Sequence, residues 1–166
     1  ALVPRGPVRL YVGHVSGEGD FAALRWVRAL TKGGATLAIA DPRGIGQSAP
    51  QTCGGGDFFH PYGSDYLYAS HADALDESLL GRRVCDVMRT MDFLEAAGAR
   101  PIELIGRGLG AIVAVFAALL HPSRPRTTLV NYLPSYEMLA CAPQFRWPLS
   151  VLARGVLRQF DLPDVY

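Results

Sequence analysis

The stretch Glu103-Leu104-Ile105-Gly106-Arg107-Gly108-Leu109-Gly110-Ala111 restricts the folds open to this chain more than any other. An apolar run enters three glycines at alternate positions, and from Ile112 to Leu120 the sequence is apolar almost all round. Such a pattern reads as a strand that turns sharply into a buried helix. The turn is strained and brings two backbones close together, which is why glycine recurs in it.

The flanking sequence repeats the strand–helix alternation. Val8 to Val12 reads as a strand that stops at Gly13-His14. Asp20 is expected to cap the next helix, with Phe21, Leu24, Val27 and Leu30 on one face and Gly33-Gly34 closing it. Thr36 to Ala40 is a second strand, ended by Asp41-Pro42 because proline cannot donate to a ladder. A helix is expected over Leu75 to Gly98, with Leu80, Val84, Val87, Met88, Met91 and Leu94 on one face. Ile102 to Ile105, Ile112 to Leu120 and Thr127 to Leu133 read as strand, helix and strand, with further helix after Pro148. The expected fold is α/β: one doubly wound, mainly parallel sheet with helices on both faces, over residues 7–166. Residues 1–6 contain Leu-Val-Pro-Arg-Gly, which resembles a thrombin-cleavage linker or is natural sequence, and carry no weight in the fold.

Composition narrows the function classes. The chain has 166 residues, enough for one domain with its own core. Sixteen basic and fifteen acidic residues leave a formal charge of +1, so no nucleic-acid partner is expected. No membrane association is expected either, since the longest apolar stretch, Ala111 to Leu120, is about half a membrane span. No signal peptide is expected within the chain. Cys53, Cys85 and Cys141 are odd in number and lack a C-x-x-C pair, which favours buried or free thiols over a disulfide scaffold or zinc ribbon.

Two chemistries use a strand–glycine turn–helix. In the nucleophile elbow, G-x-S-x-G, the central residue projects from the top of the sheet, where the following N–H stabilises an oxyanion. Gly106 and Gly110 occupy the flanking positions with Arg107 between, but the nucleophile position is Gly108. In the dinucleotide turn, G-x-G-x-x-G/A, Gly106, Gly108 and Ala111 match literally. That fingerprint wants an acidic residue about 20 positions on, where this chain has Arg124, Arg126 and Asn131.

After the second strand comes Asp41-Pro42-Arg43-Gly44-Ile45-Gly46-Gln47-Ser48. Here the chain resembles the α/β-hydrolase superfamily, whose members often carry D-x-R-G-x-G-x-S after the strand preceding the elbow helix. The strand ending at Gly13-His14 is similar to that family's oxyanion-hole strand and loop. The helix with Asp86 and Asp92 looks like the one in bacterial acetyl xylan esterases and dienelactone-type hydrolases. The resemblance covers Val8 to Leu133, and its most specific part is the ordered pair Asp41–Ser48 and Gly106–Gly110. It implies carboxylic-ester hydrolysis, without a cofactor or metal, of a small ester or acylated carbohydrate. The Leu109 amide and a loop amide near Val15 would be the oxyanion donors, with His14 shaping the loop.

Two departures qualify this expectation. Gly108 removes the nucleophile, and the chain reaches Tyr166 before strands that would carry the family's acid and histidine. His60 and His71 precede the elbow, and His121 is expected at a helix C-terminus facing its dipole. Asp41 and Arg43 are expected to anchor the turn after their strand rather than perform chemistry. From Arg43 to about Tyr68 a long loop is expected, and Phe58, Phe59, Tyr62, Tyr66 and Tyr68 in it suggest a lid over a pocket. Asp57, Asp65, Asp73, Asp76 and Glu77, with His60 and His71, read as its solvated face. Three functions follow: an esterase-lineage domain impaired at Gly108, a catalytically silent binding domain on the same scaffold, and an NAD(P)-binding domain.

Overall fold

The computed structural model describes residues 6–50, 64–144 and 146–166. The expected Cys53, Asp57, Phe58, Phe59, His60 and Tyr62 therefore lie outside the described residues. Four parallel strands, β1 (Gly6–Val12), β2 (Thr36–Ala40), β3 (Ala99–Arg107) and β4 (Arg126–Val130), lie in the order β2-β1-β3-β4. Val12 is in register with both Ala40 and Gly106, and Gly106 with Leu129, so all four carboxyl ends meet one edge. Helices α1 (Gly17–Ala23) and α2 (Arg25–Ala29) join β1 to β2. Helices α3 (Ser64–Ala74) and α4 (Leu79–Ala96) lead back across to β3, α5 (Leu109–Leu120) joins β3 to β4, and α6 (Tyr136–Cys141) follows.

Strand alternation divides the core between two faces. Val8, Leu10, Val12 and Leu104 face Val84, Val87 and Met91 of α4 and Ile112 and Val113 of α5. Tyr11 and Ile105 point the other way, toward Val27 of α2, with Phe21, Leu24 and Leu37 packed around them. A fully buried aliphatic side chain contributes about 1.5–3 kcal/mol relative to exposure. The α4–α5 face holds far more of them and dominates the stability. The chain is thus an α/β protein with helices on both sides of a parallel sheet. Among the described residues, no helix is long and apolar enough to cross a membrane.

Several boundaries differ from the sequence-based expectation. The first helix is capped not by Asp20 but by Ser16, whose side chain accepts from the Gly19 N–H. It breaks at Leu24, where the backbone is extended, and restarts as α2. The expected loop of 43–68 contains a 3-10 turn at Gly46–Ser48, and its last residues belong to α3, which begins at Ser64. Tyr66 and Tyr68 are helical residues rather than loop aromatics. Leu75 to Ser78 is not helical: α4 begins at Leu79, with the Ser78 side chain accepting from Gly81. The expected fourth strand ends early, because Asn131 takes a positive φ of 50°. After Pro148 only 3-10 turns form, at Leu149–Val151, Val156–Arg158 and Leu162–Asp164. Cys85 and Cys141 are free and exposed.

The acidic residues expected on a solvated face are in part structural. Arg154 bonds Asp73 and Asp76, but Asp65 is buried and pairs at 2.8 Å with Arg83, itself 1% exposed. Ser150 Oγ donates to Asp65 Oδ1 (2.7 Å), and Arg83 also reaches Ser150 Oγ (2.5 Å) and the Arg43 carbonyl (2.9 Å). One guanidinium thus ties α3, α4, the turn after β2 and the 3-10 turn at Leu149. Removing one partner strands a charge away from water. Asp65→Ala is expected to destabilise the fold by about 3–5 kcal/mol in urea denaturation, well beyond the effect of Asp73→Ala at the exposed pair.

Candidate functional site

The chain leaves β1 toward α1 on one face and leaves β3 toward α5 on the other. Such a switch point opens a crevice at the carboxyl ends of adjacent strands, where ligands of open α/β sheets bind. At this switch point the segment Gly13–Val15 after β1 meets the end of β3 and the start of α5 at Arg107, Gly108 and Leu109.

The glycines of the turn answer to steric demands. A Cβ on Gly106 would lie 2.5 Å from the Gly110 carbonyl oxygen and 2.6 Å from Ala111 Cα. One on Gly110 would collide with the Val12 carbonyl and lie 2.5 Å from that of Gly13. Strand β1, strand β3 and helix α5 therefore meet backbone to backbone. Gly108 has φ 58° and ψ −121°, a conformation that L side chains rarely adopt.

His14 does more than shape a loop. Its Nδ1 accepts the Leu109 N–H at 3.0 Å, so the amide expected to serve an oxyanion is held by an imidazole of the same chain. An amide can only donate, so Nδ1 carries the lone pair and, in the neutral ring, Nε2 the proton. The ring also stacks edge-on against Trp147, with centroids 6.5 Å apart. A Cβ on residue 108 would run into Nδ1 and lie 2.8 Å from His14 Cγ. His14 thus fills the space that a side chain at 108 would need. Burial lowers the His14 pKa from 6.5, and the nearby Arg107 charge adds to this against the opposing pull of Asp20 and Asp65.

Arg107 does not reach into open space. Its Nη1 donates to Asp20 Oδ1 at 2.9 Å, while Tyr11 Oη donates to Asp20 Oδ2 at 2.7 Å. Burial and this hydrogen bond push the Tyr11 pKa well up. Asp20 is therefore the bracket between β1, α1 and β3.

The polar members of the Asp41–Ser48 motif act as anchors. Asp41 accepts from the Gly17 N–H (2.8 Å) and the Gln47 N–H (3.1 Å), which fastens the start of α1 to the turn. Gly46 takes φ 51° with the Asp41 carboxylate where its Cβ would be, and its N–H donates to the Val15 carbonyl (2.8 Å). Arg43 grips Asp86 through Nε (2.8 Å) and Nη2 (2.6 Å). Burial raises the Asp86 pKa, but the hydrogen bonds from Arg43 outweigh it and hold the carboxyl below its usual value. Gly44, at φ 75°, lies beside the buried Arg83, and Ser48 Oγ donates to the Asp41 carbonyl (2.9 Å). Ser48 is thus tied to backbone.

His121 departs from expectation only in part. It does cap α5, its N–H donating to the Ala117 carbonyl (2.9 Å), but it is 3% exposed and its ring also bonds Asp92 and Ser123. Among the described residues, no group of three His, Cys, Asp or Glu could hold a metal ion. No protein-family model and no curated protein matches this chain.

These contacts set measurable outcomes. Gly110→Ala is expected to lower stability by about 3 kcal/mol in urea denaturation, as overpacking does. Gly155→Ala, with a positive φ but open space around it, is expected to cost about 1–2 kcal/mol. His14 is expected to titrate below 6.5 by NMR, with the Leu109 amide resonance moving in step. Because its folded pKa is the lower one, its contribution to stability is fully present above pH 6.5 and declines as pH falls through 6.5 toward the folded value.

Proposed function

We propose that this chain is a domain of hydrolase-like architecture that binds a small ester or acylated carbohydrate at the β1–β3 crevice without forming an acyl-enzyme at the glycine turn. The observation that carries this reading is the turn itself. Gly108 holds the strained elbow conformation between β3 and a long buried helix, yet offers no hydroxyl or thiol, and the amide beside it is capped by His14. The ordered Asp41–Ser48 and Gly106–Gly110 motifs support the esterase lineage. Without a nucleophile at the turn, the crevice retains binding while covalent chemistry there has no starting atom.

A thermal-shift panel of triacetin, acetylated xylose and short acyl esters tests the binding. A saturating ligand at 100 times its Kd stabilises by about 2.7 kcal/mol, so a clear upward shift is expected from at least one member. No shift across the panel would remove the proposal, and a shift with millimolar NAD or NADP alone would replace it with dinucleotide binding. Gly108→Ser is expected to leave p-nitrophenyl acetate hydrolysis at the parent rate, because the His14 ring occupies the space of the new side chain. A large gain in that single variant would show a nearly complete catalytic centre and overturn the non-catalytic reading of the turn.

A further inference from the structure

A second constellation lies at the other end of α5. That helix has twelve residues and, at 1.5 Å per residue, separates the two places by about 18 Å. His121 follows its last turn. The His121 Nδ1 stands 2.7 Å from Ser123 Oγ and accepts the Ser123 backbone N–H at 3.2 Å. The amide can only donate, so Nδ1 is the unprotonated nitrogen and the Ser123 hydroxyl must donate to it as well. Nε2 then carries the proton, and it faces Asp92 Oδ1 at 3.1 Å. A hydroxyl donating to an imidazole, itself oriented by a carboxylate, is the arrangement that activates a serine.

The surroundings fit a working site better than a simple helix stop. His121 is 3% exposed, which holds the base in place, while Ser123 is exposed and can be reached. The next residue, Arg124, is held at φ 42°, a positive value rare outside glycine and a kind of strain that clusters at functional sites. Arg124 also lines a groove of about 490 Å³ whose wall includes Val115, Leu119, Leu129 and Tyr132.

We propose that Ser123, His121 and Asp92 form a nucleophilic site for activated acyl and phosphonyl donors, independent of the glycine turn. Ser123 Oγ attacks the carbonyl carbon or phosphorus and forms the new bond to oxygen. Its proton passes to His121 Nδ1, and Asp92 stabilises the resulting imidazolium. The alkoxide or fluoride then leaves with the bonding electrons; an alkoxide takes the proton back from His121, and after fluoride departs His121 gives that proton to solvent water. Water hydrolyses the acyl-serine by the reverse proton path.

Labelling of the folded chain with a fluorophosphonate, followed by peptide mass mapping, tests this. The adduct is expected on Ser123, and Ser123→Ala should lose it. His121 is buried and its replacement risks the fold, so Asp92→Asn is the informative variant, because the Asp92 side chain is 56% exposed. The Asn amide can donate to Nε2 and hold the ring in the wrong tautomer, so labelling should slow by roughly 10²-fold while the circular-dichroism melt stays near that of the parent. No adduct on Ser123, or equal labelling rates in the parent and Asp92→Asn, would overturn the proposal. Ligand shifts at the β1–β3 crevice are a separate readout, so either reading can fail alone.

Discussion

The contact on which the rest depends is between backbones, not side chains. Helix α5 is laid against the ends of β1 and β3 so closely that the Gly110 Cα faces the carbonyls of Val12 and Gly13. Dispersion at such short range needs glycine on one side. It seats the N-terminus of α5 at the switch point and lets the apolar flank of that helix run along the sheet against α4. It also brings the Leu109 amide within reach of a ring on β1's loop. Sheet, buried helix and crevice thus share one steric origin.

Around this contact, polar groups act mainly as fasteners. Asp20 holds Tyr11 and Arg107, Asp41 holds Gly17 and Gln47, and Asp86 holds Arg43. Each carboxylate joins segments that the chain leaves far apart, and each fixes a loop at the carboxyl edge of the sheet. These carboxylates are half-buried, so each charged or backbone donor replaces water that the fold has partly removed. Both segments that meet at the switch point are thus tied to neighbouring elements through these carboxylates.

The strands and the glycine turn were legible in the sequence because their signals are local. Thr36–Ala40 reads as an apolar run with a proline stop, and Gly106–Gly110 as spacing alone. The start of α5 was harder, since Leu109 and Gly110 look like turn residues until the packing of Gly110 on β1 is known. Asp20 resembled a cap because any acidic residue before an apolar periodicity does. Its partners Tyr11 and Arg107 lie 9 and 87 positions away, and only the folded sheet brings them together. The His14–Leu109 bond spans 95 positions and left no local trace. The His121-Pro122-Ser123 turn did leave one, in a histidine two residues before a serine, but Asp92 sits 29 residues upstream on another helix.

The overlap of the His14 ring with the place of a side chain at 108 couples two positions far apart in sequence. A larger residue at the turn needs the imidazole to swing aside, and that movement would release the Leu109 N–H from Nδ1. Steric freedom at one position and hydrogen bonding at the other are thus settled together.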